Sequence, residues 1–187
     1  MKIWVFDDMS LCTEQEVTRM LPLVSAQRRE QALRYKHTLG RFCCLKSWLM
    51  LQGLMDNGQW IMDHWQYNEH GKPYIEGPYF SISHCKEGIA VAIDDQPIGM
   101  DIEAIRHADK ELIERTMNEE EIRTIANANA NADRAFTRLW TQKEAIVKAQ
   151  GVGIQSFEQL QGIRSQESGF RIHTVEKDNY IYSIAYK

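Results

Sequence analysis

Asp101 and Glu103 stand two residues apart in the segment Gly99-Met100-Asp101-Ile102-Glu103. In an extended chain that spacing sends both carboxylates to one face and Met100 and Ile102 to the other. Two neighbouring carboxylates repel unless a cation, a positive side chain or a proton intervenes. Without such a partner the pair merely ends a strand and faces water. A metal site would need a third oxygen ligand from elsewhere, and Glu144 is the candidate. Trp140, Glu144 and Lys148 are spaced four apart and so line one side of a helix, with Lys143 beside them. The plain alternative is a Glu144–Lys148 surface pair worth roughly 0.3–0.5 kcal/mol. Trp140, one turn away, puts that pair at the edge of a packed surface. An Asp-x-Glu pair with a helical Glu is a hard, all-oxygen set, which suits magnesium with phosphates and waters better than zinc.

Phe80-Ser81-Ile82-Ser83-His84 supplies the other half of the chemistry. Alternation puts Phe80 and Ile82 on one face and Ser81 and Ser83 on the other, with His84 at the strand end. A serine hydrolase is disfavoured, because no G-x-S-x-G elbow presents the serine. Ser83 and His84 serve more naturally as donors to a phosphate, or as simple strand-end hydrogen bonds. Lys72 precedes Pro73, which restricts it to extended backbone and gives its charge a stiff base. Arg28, Arg29, Arg34, Lys36, His37 and Arg41 accumulate over two expected helices. Singly each reads as a solvated side chain, but together they make a local source of positive charge for an anionic ligand.

These groups need a scaffold. Lys2 to Phe6 reads as a strand ended by Asp7 and Asp8. Thr13 with Glu16 has capping-box spacing for a short helix that Pro22 ends, and Ser25 to about Arg34 is a second helix. From Thr38 to Met55, apolar residues at three- and four-residue intervals predict a long helix. A turn over Asn68 to Gly71 leads to Pro73, which belongs at a sheet edge or in a loop. Tyr79–Ser83, Gly88–Asp94 and Ile98–Glu103 are extended, with separators short enough for neighbouring antiparallel strands. Asn118 with Glu121 marks another helix start. The repetitive run from Asn127 to Asp133 reads as a surface connection. Phe136, Leu139, Trp140, Lys143 and Val147 mark one side of a helix from about Asp133 to Ala149, ended by Gly151 and Gly153. Phe170–Val175 and Tyr180–Tyr186 close the chain as strands. Helices then strands, twice over, predict an α+β fold of two similar halves, residues 1–95 and 96–187.

Bulk composition sets limits. A chain of 187 residues at 43% hydrophobic content can bury a real core. Its formal charge of -4 argues against a broad nucleic-acid surface. No run approaches the roughly 18 apolar residues of a membrane span. Cys12, Cys43, Cys44 and Cys85 contain no C-x-x-C pair. With no basic, then apolar, leader at the start, they predict a reduced, cytoplasmic protein.

Taken in order, GKP (Gly71–Pro73), FSISH (Phe80–His84), PIGMDIE (Pro97–Glu103) and LWTQKEAIVKAQGVGI (Leu139–Ile154) resemble the Sfp-type, or group II, 4′-phosphopantetheinyl transferases. The MKIW opening and the QRRE segment also fit, so the resemblance runs from Met1 to Lys187. It implies a pseudo-duplicated fold, each half packing helices on a largely antiparallel sheet, with coenzyme A in the cleft between them and metal ligands in the second half.

The same resemblance implies that Asp101, Glu103 and Glu144 hold Mg2+, and that Glu144 is the base toward a carrier-protein serine, directly or through water. Lys148 would contact phosphate and protonate the departing 3′,5′-ADP. Lys72, Ser83 and His84 would hold the phosphates of coenzyme A, His84 near the 3′-phosphate, with Arg28 and Arg41 as looser matches. The expected reaction moves the 4′-phosphopantetheine arm of coenzyme A to a serine of an apo acyl or peptidyl carrier protein. Nucleic acid and membrane are not expected partners, and a monomer would suffice. Two alternatives share the carboxylates: a module that binds coenzyme A or a carrier without transfer, and a magnesium phosphohydrolase.

Overall fold

The structure is a computed structural model that describes residues 1–55, 66–153, 156–164 and 167–187. Strand β1 (Lys2–Phe6) leads into helix α1 (Glu14–Met20), whose cap Thr13 accepts the N–H of Glu16. Helix α2 (Ala26–Leu33) is capped in the same way by Ser25, and α3 (Thr38–Leu54) follows. Short strands β2 (Gln66–Tyr67) and β3 (Pro73–Tyr74) make a hairpin. Strands β4 (Tyr79–Cys85), β5 (Gly88–Asp94) and β6 (Ile98–Ala104) come next. Helices α4 (Lys110–Thr116) and α5 (Glu119–Asn127) precede the long α6 (Ala132–Gln150). Helix α7 (Phe157–Gln161) and strands β7 (Arg171–Glu176) and β8 (Tyr180–Tyr186) complete the described chain.

Two three-stranded antiparallel sheets result, in the orders β1-β5-β4 and β6-β8-β7. Period two organises the first. Ile89, Val91 and Ile93 of β5 enter a core with Phe42, Leu45, Trp48 and Leu51 of α3, while Ala90 and Ala92 face Met100 and Ile102 of β6 and Ile184 of β8. Small residues on that second face let the two sheets approach. Helix α6 lies on the second sheet through Ala145, Ile146 and Ala149, which meet Ala185.

The expected pairing of β5 with β6 does not occur. Both edges of β5 are already taken, by β1 and β4, so the chain crosses at Asp95–Pro97 and β6 pairs with β8, Asp101 opposite Ser183. Strand β6 instead meets the edge of β4 through side chains. Ser81 Oγ accepts the N–H of Met100 at 2.9 Å, and Ser83 Oγ accepts that of Ile102 at 3.3 Å. Ser81 and Ser83 are thus joints between sheets, each satisfying a backbone donor that the ladder leaves over.

Helices α4 and α7 were not expected from the sequence. Asp109 caps α4 by accepting the N–H of Leu112, and Ser156 caps α7 by accepting that of Gln159. Among the described residues no helix is long and apolar enough to cross a membrane, and all four cysteines are free thiols.

Candidate active site

Gly99 determines how closely α6 can lie on β6. A Cβ there would stand 1.9 Å from the carbonyl oxygen of Ala145 and 2.4 Å from the backbone nitrogen of Ala149, so only glycine admits the helix. That close approach places Lys148 over Asp101. The Lys148 ammonium donates to Asp101 Oδ1 at 2.6 Å and to Ser83 Oγ at 3.0 Å, and the Ser83 hydroxyl donates to the same Asp101 oxygen at 2.8 Å. With Ile102 N–H as a further donor to it, Ser83 has its one proton and both lone pairs engaged. The Glu144–Lys148 pair that helix spacing allows is therefore replaced by a Lys148–Asp101 ion pair between elements.

Asp101 is buried, 2% exposed, and its second oxygen, Oδ2, has no hydrogen-bond partner. A buried, unpartnered carboxylate oxygen is costly unless something positive can reach it. Glu144 and Glu103 both lie close enough to feel the Asp101 charge. Burial, then Asp101, pushes the Glu144 carboxyl up to about 7, and the same two influences raise Glu103. For Lys148 burial is the largest single influence and pulls its pKa down, but Asp101 and Glu144 outweigh it and hold the ammonium above its ordinary value. Among the described residues no three Asp, Glu, His or Cys side chains converge as ligands of one ion. The donor chemistry and the unpartnered Asp101 Oδ2 nevertheless fit a hard divalent cation.

The β2–β3 hairpin brings Lys72 to the C-terminal end of α6. Asn68 organises this: its Oδ1 accepts the N–H groups of His70 and Lys72 at 3.0 and 2.8 Å, while its Nδ2 donates to the carbonyl of Gly151 at 2.7 Å. Gly151, at φ 76°, ends α6 in the left-handed conformation expected of it. Lys72 Nζ then donates to the carbonyl of Lys148 at 2.5 Å. Burial, and after it the charge of Lys148, lowers Lys72 to about 8. His84 is exposed, yet the protein around its ring, followed by Lys148, holds it below the usual imidazole value. A cavity of about 230 Å³ opens between the hairpin, β4 and the end of α6, with Lys72, Ser81, Lys148 and Gly151 among its walls.

The structure thus gathers Asp101, Glu103, Glu144, Lys148, Ser83 and Lys72 into one region. Arg28 and Arg41 are engaged by groups of the helical layer. Arg28 is 8% exposed in the α2–α3 interface, its guanidinium 3.9 Å from the Trp48 ring, and Arg41 pairs with Glu14 at 3.0 Å. Lys143, adjacent to Glu144 in sequence, points the other way: it is 1% exposed, bonds the carbonyl of Leu160 at 2.6 Å and pairs with Glu121 at 2.7 Å, tying α5 and α7 to α6. Asn68 and Gly99 were not identified from sequence. The NxxGKP spacing gives a hint of the Asn68 turn, but no local pattern reveals the helix above Gly99. Ile154, the last residue of the fourth motif, lies outside the described residues.

Two antiparallel sheets clad with helices, with a cluster of carboxylates and lysines whose Lys72 and Lys148 line a cavity, define an α+β protein. Residues 97–185, which carry β6, α6, β7 and nearly all of β8, match the 4′-phosphopantetheinyl transferase superfamily. The chain is 37% identical over 89 residues to the 4′-phosphopantetheinyl transferase gsp of Aneurinibacillus migulanus, covering 46% of this chain and 38% of that protein. It is 27% identical over 183 residues to ffp of Bacillus subtilis, covering 90% and 79%, and 30% identical over 166 residues to another Bacillus subtilis 4′-phosphopantetheinyl transferase, covering 82% and 72%. The chain belongs to the 4′-phosphopantetheinyl transferase superfamily and is an enzyme of that class.

Proposed function

We propose that this enzyme transfers the 4′-phosphopantetheine arm of coenzyme A to a serine of an apo acyl or peptidyl carrier protein and releases 3′,5′-ADP. The observation that carries the reading is the Asp101–Ser83–Lys148 network with Glu144 near it, Lys148 also lining the cavity that Lys72 borders. In this reading coenzyme A lies between residues 1–95 and 96–187. Its phosphates are held by Lys72, Lys148 and His84, and Ser83 fixes Asp101 and Lys148. Arg28, stacked on Trp48, and Arg41, paired with Glu14, would be looser contacts to the same ligand.

Asp101, Glu103 and Glu144 would hold Mg2+, which when bound would neutralise the diphosphate and polarise the phosphorus under attack. The chain's own groups do the rest. Glu144, ionised when it holds the cation, would accept the proton of the acceptor hydroxyl, directly or through water. The serine oxygen forms a bond to the phosphorus that bears pantetheine, and the bond from that phosphorus to the bridging oxygen of ADP breaks. Lys148 offsets the charge that develops on the leaving oxygen. No covalent enzyme intermediate is required.

The test is incubation of the pure chain with Mg2+, coenzyme A and a panel of apo carrier proteins. A mass increase of the acceptor by one phosphopantetheine supports the reading. Binding without any increase would point to a module, and free phosphopantetheine made without an acceptor to a hydrolase.

Lys72 offers a sharper prediction. Lys72→Met should weaken coenzyme A about tenfold, the loss of one charge-assisted contact, while carrier binding is kept. Because phosphates favour the charged amine and burial lowers Lys72 to about 8, coenzyme A affinity should decline as pH rises through that value. Titration calorimetry at about pH 7 and about pH 9 measures both effects; equal affinities at the two values in the wild type would remove Lys72 from the phosphate site. His84→Ala should likewise weaken coenzyme A more than the carrier.

A further inference from the structure

Thr141 belongs to the segment that carries Glu144 and Lys148, but nothing in the transfer chemistry uses it. It is buried, as is Ser183 on β8. In the sheet β6-β8-β7 the pairing sets Asp101 opposite Ser183, and Ser183 opposite Thr174. Residues paired in this way project from the same face, so one polar row, Asp101–Ser183–Thr174, crosses all three strands. Helix α6 bonds every member of it. Gln142 Nε2 donates to Thr174 Oγ1 at 3.0 Å, Thr141 Oγ1 meets Ser183 Oγ at 2.8 Å, and Lys148 pairs with Asp101 at 2.6 Å.

The hydroxyl protons of this row have one possible arrangement. A hydroxyl has a single proton to give. Thr141 gives its own to the carbonyl of Arg138 at 3.0 Å, so Ser183 donates to Thr141. With the Ser183 proton committed, Thr174 donates to Ser183 at 2.9 Å and itself accepts from Gln142. The relay leaves α6 at Gln142, passes through β7 and β8, and returns to α6 at Thr141. Sliding or rotating the helix on the sheet would break it and strand buried hydroxyls without partners. Gly99 supplies a different restraint, since it sets how near the helix comes. Glu144 follows Thr141 by three residues and Lys148 follows it by seven, on the same side of the helix. Along the axis those steps are roughly 4.5 Å and roughly 10 Å.

From the row and its relay we infer that Thr141 and Ser183 are positioning residues for transfer: their hydroxyls fix the slide and rotation of α6 on the sheet and so hold Glu144 in reach of the acceptor hydroxyl. The assignment rests on the transfer reading above. Neither residue touches substrate in it, and both act through Glu144.

Steady-state transfer by the full chain tests this, with saturating Mg2+ and coenzyme A, an apo acyl carrier protein and an apo peptidyl carrier domain as acceptors, and a thermal melt of each variant. Thr141→Val keeps the shape of the side chain and removes its hydroxyl. It should lower kcat about ten- to a hundredfold, up to the cost of a displacement near 1 Å, and it should lower the melting temperature, because the Ser183 proton is stranded. Thr141→Ser keeps the relay and should restore most of the rate. Ser183→Ala cuts the relay at its centre without stranding a proton, since Thr141 keeps Arg138 and the partly exposed Thr174 can turn to water. It should lower kcat as far as Thr141→Val while melting close to wild type, and it serves the same purpose if Thr141→Val does not fold. A merely structural pair would instead give a kcat that follows the melting temperature from variant to variant. That pattern, a wild-type kcat in Ser183→Ala, or a Thr141→Ser as slow as Thr141→Val would overturn the assignment while leaving transfer intact. A wild-type chain that modifies neither acceptor would remove the transfer reading and the assignment together.

Discussion

Glu144→Gln lowers phosphopantetheine transfer by about 10²- to 10⁴-fold, the range for loss of a general base, and leaves the fold standing. The amide keeps the size and shape of the side chain but cannot take a proton, and it is a poor ligand for a hard cation. The stability consequence has a definite sign. With its carboxyl raised to about 7, folded Glu144 keeps a proton that the unfolded chain gives up near its usual value. The folded state therefore binds more protons between those two values, and stability falls as pH climbs through that window. Removing the carboxylate removes the penalty, so without metal at alkaline pH the variant should melt no lower than wild type. Bound Mg2+ requires the ionised form, so wild-type Mg2+ affinity should fall as pH drops below about 7. Calorimetry in buffers of different ionisation enthalpy reads the proton released. Near-normal turnover in the variant would reject the role of Glu144.

Gly99→Ala acts on the scaffold and should be as damaging. The added methyl would stand 1.9 Å from one backbone atom of α6 and 2.4 Å from another, and neither can swing aside as a side chain would. Helix α6 must lift, which separates Lys148 and Glu144 from Asp101. Overpacking of this kind costs typically 1–3 kcal/mol, and a collision with backbone belongs at or above the upper end. A displacement of about 1 Å in the reacting groups costs on the order of 10² in rate. Gly162 is the control, since a methyl there meets only the carbonyl of Gln159 at 3.5 Å. Thermal melts and transfer rates for both variants make the comparison. A Gly99→Ala chain that melts and turns over like wild type would refute the proposed role of the close approach.

Several elements are legible in the sequence. The periodicity of α6 placed Lys143 among Phe136, Trp140 and Val147, and the structure buries it there. The alternation of β6 put Asp101 and Glu103 opposite Met100 and Ile102, the latter two now in the core between the sheets. What local pattern could not supply were relations between distant segments. The short Asp95–Pro97 link suggested that β5 and β6 pair, because nothing near it shows that β1 already occupies the other edge of β5. Glu121, the partner of Lys143, lies on another helix. Arg28 looked like one member of a basic face, and only the packing of α2 on α3 turns it toward Trp48.

The seam between β4 and β6 has a consequence for how this chain could be cut. Each strand is the outer rail of its own sheet, and each covers the other, with serine hydroxyls engaging amides that would otherwise stay open to pairing. Expressed alone, residues 1–95 or 96–187 would carry such an open rail into solution, an invitation to polymerise. Split versions of the protein should therefore clump unless both fragments are made together.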